Sequence, residues 1–369
     1  MQVAALAFAM VLVGLAQPSR AQDSGPKITF HGYLTQAYGE SDGLSLFGLD
    51  EDGTSDYRNI ALNLRADITD KDSFVVQLVN ERSGGSPFDA LHEDVELDWA
   101  YFEHRFETGT EVRVGRQPIP FGIYNELRDA GTVLEFFRPP VAIYFEGAFA
   151  SETVDGLAVS HNFSLSDSWD LDSSLYYGEW ERAEFSSGME APATGRARDG
   201  HGLQLWLNTP VTGLRFGVAA QRFDQVGGLV DLRSGESDRF TTYLFSIDGD
   251  FSRFVVRAEA QLLKTQFAFI PDAEFPAAYG LVGYHVTDKL SVYLLREDSK
   301  SKFSFGSALP SFESTFHKDW ALSAVYAFNP QALLRLEAHR SDTILTSDLA
   351  PFGTTPRVNY WIASFSASF

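Results

Sequence analysis

The residues that could act on a solute are arginines and carboxylates, and they gather around one interrupted stretch, Val112 to Ala148. Arg113, Arg116, Arg128 and Arg138 stand there beside Glu126, Asp129 and Glu135. A guanidinium offers a planar fork of donors that fits a carboxylate or a phosphate. Arginines facing acids across a narrow space would set up a transverse field that aligns and filters polar solutes. Covalent chemistry has no comparable support. The 8 histidines are scattered, with no His-Glu-x-x-His motif and no i/i+4 pair. There is no Gly-x-Ser-x-Gly elbow and no glycine-rich phosphate loop. Residues Asp50 to Asp56 faintly resemble a calcium loop, but Ala61 stands where the bidentate glutamate belongs. The sequence therefore implies no metal site and no cofactor.

Regular structure on either side must position these groups. Pro118, Pro120, Gly122, Gly131, Pro139 and Pro140 forbid a continuous ladder across the stretch, because proline lacks the donor and glycine weakens a strand. A constriction loop is expected over about 117–148, since a long, partly apolar loop in an all-β protein is usually functional. Elsewhere apolar and polar residues alternate with the period of strands. Ile60, Leu62 and Leu64 alternate with Asn63 and Arg65, and Leu334 and Leu336 with Arg335 and Glu337. Val95, Leu97, Trp99 and Tyr101 are expected to share one face. The alternation gives about 16 strands, within a range of 14 to 18, with short turns and long gaps in strict succession, as in an outer-membrane barrel. If the apolar positions face lipid, Arg65, Arg215, Arg253, Arg257 and Arg335 line a wet interior with the loop arginines and acids. Paired with nearby acids, the same arginines would only hold wall and loop together.

Composition agrees. Residues 1–21 read as a secretory signal, with an apolar core over 3–16 and small residues Ser19 and Ala21 before the cut, leaving 22–369 as one barrel domain. No later run of 18 apolar residues exists, so any membrane crossing must use a closed barrel. The chain has no cysteine, and 14% of it is aromatic. A formal charge of −21 excludes nucleic acid as a partner. The acidic segment 40–56 reads as a solvated loop, with a cation-bridged contact to anionic lipid headgroups as the alternative.

The C-terminus alternates Trp361, Ala363, Phe365, Ala367 and Phe369 against serines. An aromatic last residue on a terminal strand resembles the signal read by the barrel assembly machinery. The run Val114-Gly115-Arg116, Pro120-Phe121-Gly122-Ile123-Tyr124-Asn125-Glu126, Arg128-Asp129, with Phe137-Arg138-Pro139-Pro140 and Ile143-Tyr144, resembles Gram-negative porins related to the phosphate-selective and dicarboxylate types. The resemblance implies a 16-stranded trimeric transmembrane barrel in the outer membrane, its third external loop folded inward. It implies passive ion and solute transport, with outer-membrane lipid and lipopolysaccharide around it and small hydrophilic solutes inside. The phosphate-selective members carry a basic loop, and no lysine cluster stands here. The arginines lead us to expect a mild preference for anions or small carboxylates, and no enzyme activity. The alternatives are a lipase-like barrel enzyme and a non-conducting structural or adhesion barrel.

Overall fold

The structure is a computed structural model that describes residues 25–90, 94–145, 151–184, 191–229, 236–269, 271–304, 311–347 and 354–369. The expected signal at 1–21 lies outside the described residues. Sixteen antiparallel strands follow one another round a closed ring: β1 Lys27–Ser41, β2 Thr54–Asp67, β3 Asp72–Ser83, β4 Glu96–Arg105, β5 Thr110–Pro118, β6 Thr153–Ser166, β7 Trp169–Glu184, β8 Ala193–Asn208, β9 Leu214–Gly227, β10 Asp238–Asp250, β11 Phe254–Gln266, β12 Ala273–His285, β13 Leu290–Phe303, β14 Phe312–Asn329, β15 Ala332–Thr343 and β16 Arg357–Ser368. β16 closes on β1 from Tyr33 opposite Ser368 to Ser41 opposite Tyr360. Closure leaves no unpaired edge, the condition for strands in lipid. Turns of two to five residues join strands at one end, and longer loops join them at the other.

The outer face carries the apolar alternation. Phe30, Leu62, Phe74, Leu157, Phe245, Leu322 and Leu336 are exposed there. Aromatic pairs flank the band toward both ends, with Phe74–Phe102 and Phe254–Tyr284 centroids 5.2 Å apart and Tyr38–Trp361 5.4 Å apart. Aromatic girdles of this kind sit at the two water interfaces of a bilayer.

Three expectations need correction. A bulge between Gln77 and Leu78 on β3, opposite Asp98 on β4, breaks the alternation. Leu97 stays outside, but Trp99 and Tyr101 turn inward, Tyr101 lying 5.3 Å from the Arg113 guanidinium. Period-two reading fails wherever a bulge inserts a residue. Second, the acidic segment 40–56 is not wholly solvated. β1 and β2 consume its ends, while Leu46, Phe47 and Leu49 tuck into the barrel mouth against Tyr57, Val358, Tyr360 and Ile362. Its Asp50 and Glu51 remain exposed. Third, the interior is not uniformly wet. Tyr176, Trp180, Trp206, Phe223, Phe240 and Leu244 point inward and form an apolar core with residues of the long loop.

At Gly115, β5 lies close against β4. Its φ is +129°, and a Cβ there would lie 2.4 Å from the Ala100 carbonyl oxygen. Gly280, on β12, would place a Cβ in open space. Gly115→Ala is therefore expected to cost about 2 kcal/mol through backbone strain. Gly280→Ala should be neutral. Thermal unfolding in detergent checks the pair, and an unchanged midpoint in Gly115→Ala would refute this reading.

Candidate functional site: the inward loop and the gap beside it

Between Pro118 and Thr153 the chain leaves the wall and turns into the barrel. Gln117 and Pro118, expected at the loop's start, are the last residues of β5, and residues 146–150 lie outside the described residues. Proline and glycine prevent a ladder here, so the loop's backbone groups need other partners. Wall side chains supply them. Glu259 of β11 accepts a hydrogen bond from the Ile123 amide at 3.1 Å. Glu297 of β13 accepts one from Ala142 at 2.7 Å, and Glu337 of β15 one from Phe137 at 2.8 Å. Arg335 is fully buried and donates to the carbonyls of Gly131 at 2.7 Å and Leu134 at 2.6 Å. Ser323 donates to the Glu135 carbonyl at 2.7 Å.

Side chains of the loop complete the brace. The Tyr144 hydroxyl lies on a single helical turn, Val141–Tyr144. It accepts from the Ile123 amide at 2.8 Å and donates to Glu259. Burial and Glu259 together push the Tyr144 phenol well above its ordinary range, so it stays a donor. Gly122 permits this packing. Its φ is +66°, and a Cβ would meet the Tyr144 hydroxyl at 2.1 Å. Asn125 donates to the carbonyl of Ile119 at 2.9 Å. Asp129 accepts from Asn59 at 3.1 Å and Gln77 at 3.0 Å, on the opposite wall. The loop thus reaches both sides of the barrel.

The apolar core occupies the β7–β13 side, under Ile119, Phe121 and Ile123. The charged side is that of β2, β4 and β5. Glu103, only 1% exposed, is surrounded by Arg65 at 2.8 Å, Arg105 at 2.9 Å and Arg113 at 3.3 Å. Glu111 takes Arg113 at 2.7 Å and Arg105 at 3.1 Å. Glu126 faces this group from the loop, 3.8 Å from Arg113, and its side chain is 46% exposed. The surrounding wall desolvates Glu126 and raises its carboxyl pKa, against the opposing pull of Arg113. A cavity of about 320 Å³ lined by Glu111, Arg113, Gln117 and Glu126 opens toward the short-turn end. A second, of about 130 Å³, lies on the long-loop side between Thr35, Asn59, Glu81, Arg128, Asp129 and Glu152.

The residues singled out in the sequence divide into groups. Arg65, Arg113, Glu126 and Asp129 line the charged gap. Arg128 lies beside it, donating to the Tyr144 carbonyl at 2.9 Å. Arg257 pairs with Asp248 at 3.0 Å and contacts Glu135 and Tyr124. Arg215 pairs with Asp248 at 2.8 Å and lies 4.1 Å from the Trp206 ring. Arg138 packs among Phe47, Tyr57 and Phe137, where it lines the long-loop cavity with Arg128 and Asp129. Arg335 braces the loop. Two expectations fail. Arg116 follows Val114 onto the outer face, opposite Ala100, and pairs with Asp155 at 2.9 Å. Arg253 is exposed in the turn before β11, at the short-turn end. Arg105, Glu103, Glu111 and Glu297 are not marked out by the sequence, and alternation places Glu337 inward without assigning it to the loop. Only alternation could have placed them inward, and it names no partner across strands.

Comparisons with known proteins give a consistent picture of architecture. No protein-family model matches the chain, and no curated protein matches it. Among solved structures, the chain is similar to an outer membrane protein of Vibrio cholerae, OmpT with loop L8 deleted, at 12% identity and a TM-score of 0.62, covering 94% of this chain and 100% of that one. It is similar to the outer membrane channel DcaP of Acinetobacter baumannii at 12% identity and a TM-score of 0.62, covering 96% and 100%. It is also similar to the anion-selective porin of Comamonas acidovorans at 10% identity and a TM-score of 0.59, covering 93% and 100%. At such identities the likeness is one of fold: the chain has the closed 16-stranded barrel of Gram-negative outer-membrane porins.

Proposed function

We propose that the chain is a porin of a Gram-negative outer membrane, passing small hydrophilic solutes by passive diffusion, and that it is not an enzyme. The observation that carries this is the inward loop, fixed across the barrel and packed dry on one side but charged and water-accessible on the other. The two cavities then serve as the vestibules of one passage, with Glu126 and Arg113 at its narrow part. Exposed ion pairs on the outer face near the long loops, such as Arg116–Asp155, Arg196–Glu179 and Arg357–Asp342, suit contact with lipopolysaccharide headgroups. A homotrimer is proposed by likeness to a trimer form of the Vibrio cholerae OmpT fold. Phe369, beside Gly32 of β1, is proposed as the mark for barrel assembly.

Selectivity is proposed to be weak. Arg65, Arg105 and Arg113 are matched by Asp67, Glu103 and Glu111, three charges against three, so the anion preference rests on the balance set by Glu126. Purified protein in planar bilayers should show discrete conductance, and liposomes carrying it should swell in small sugars. Silence in both assays would refute the channel, and hydrolysis of a lipid ester would support the enzyme instead. Because its pKa is raised, Glu126 takes up a proton at a higher pH than an ordinary glutamate. The reversal potential is therefore expected to move toward anions as pH falls from neutral to mildly acidic. Glu126→Gln should abolish that shift.

Arg335→Met tests the brace. It leaves the Gly131 and Leu134 carbonyls without their donor, at a cost of about 3 kcal/mol. The expected result is a lower unfolding midpoint and noisier open-channel current. Quiet, unchanged conductance would show that the loop is held without Arg335.

A further inference from the structure

A second group of side chains on the inner wall plays no part in the gap. Glu297 of β13 stands directly opposite Asp319 of β14, and His317 lies two residues before Asp319 on the same inner face. One potential ligand atom from each lies within 4.8 Å of the others. The three are 2%, 0% and 1% exposed. His317 makes no hydrogen bond through either ring nitrogen, and its nearest carboxylate oxygen, on Glu297, is 3.9 Å from Nε2. A buried polar group without a partner costs about 1–3 kcal/mol, so an imidazole aimed at two carboxylates needs an explanation.

We propose that Glu297, His317 and Asp319 bind one divalent transition-metal ion of the zinc or cobalt type. One imidazole and two carboxylates form a familiar ligand set for such ions, whereas magnesium and calcium favour oxygen alone. Tetrahedral ligands around zinc stand roughly 3.4 Å apart, given bonds near 2.0–2.1 Å. Small side-chain adjustments therefore close the present spacing. The surroundings are those of a supported site. Asp319 accepts from Ser341 at 2.7 Å and contacts His339 Nδ1 at 2.7 Å, while Glu297 is oriented by the Ala142 amide. Phe47 lies edge-on to His317 at 6.2 Å, and Tyr360 stacks on His339 at 4.3 Å, keeping water out.

Glu297, Asp319 and the adjacent Glu337 gather three carboxylates in a dry region, and the guanidinium of Arg138 faces Glu297 and Glu337 from the loop. A metal here would also fix the carboxylate that holds Ala142, tying occupancy to the loop's position. The rival is a proton on His317 in place of the metal.

The full-length protein in detergent, stripped with a chelator, is titrated with Co2+. The expected result is one equivalent bound per chain, with the visible absorption of a low-coordinate site. Zn2+ should displace the Co2+ and raise the unfolding midpoint. His317→Ala and Asp319→Asn should each weaken binding by at least about tenfold. His104→Ala and His161→Ala, at sites near the short-turn end, should leave it unchanged. If the inner-wall variants fail to fold, X-ray absorption of the zinc-loaded wild type decides, and it must show an imidazole among the ligands. No stoichiometric binding, binding that survives His317→Ala, or a zinc shell without imidazole would overturn the proposal. None of these readouts requires the channel to conduct, so failure of the metal site and failure of the channel reading remain separable.

Discussion

A polypeptide cannot enter the inside of a barrel unless its backbone groups find partners there. The wall strands have spent their own backbone donors and acceptors on each other, so only side chains can serve. Here Glu259, Glu297 and Glu337, on alternate strands, each take a loop N–H, and Arg335 and Ser323 take loop carbonyls. The donors and acceptors are spread over β11 to β15, so the loop cannot tilt without breaking several bonds at once. An unmade buried hydrogen bond costs more than a made one gains. The arrangement therefore fixes position more than it adds stability.

That constraint also explains the dry half of the interior. A loop held only by charged side chains would leave water around every bond and weaken each one. Packing Ile119, Phe121 and Ile123 against inward aromatics of β7 to β10 excludes water from the anchor. Water access then concentrates on the side of β2, β4 and β5, where the wall carries arginines and acids. Asymmetry of this kind makes a narrow charged gap from a wide barrel.

Much of the fold was legible in the sequence. Alternation such as Leu334-Arg335-Leu336-Glu337 needs no neighbour to be read, because side chains of a strand point to opposite faces. The break at Pro118 and Pro120 announces the loop by the same local logic. The bulge near Asp98 was not legible, since nothing in Leu97-Asp98-Trp99 distinguishes a bulge from plain alternation. Arg116 was misplaced for a related reason: its closeness to the loop in sequence outweighed its parity with Val112 and Val114, which puts it outside. Pairings such as Arg257 with Glu135, or Glu297 with the Ala142 amide, join residues set far apart in sequence. Strand register is fixed by closure of the whole ring, and no segment states it alone.

The arginines round Glu103 show why a high arginine count does not by itself make an anion filter. Each guanidinium there already faces a carboxylate at hydrogen-bonding distance, and a solute anion must compete with it. In the partly wet gap the effective dielectric lies well above that of a dry interior, so such pairs are exchangeable at a cost of about 1–3 kcal/mol. A passing carboxylate can borrow one donor from Arg105 or Arg113 without fully displacing Glu103 or Glu111, since each guanidinium has five. In the channel proposed above, such a surface would lower the barrier for polar solutes of either sign while binding none tightly, as conduction requires. Discrimination there would then fall to Glu126, which faces the gap from the loop and stands 3.8 Å from its nearest cation, Arg113.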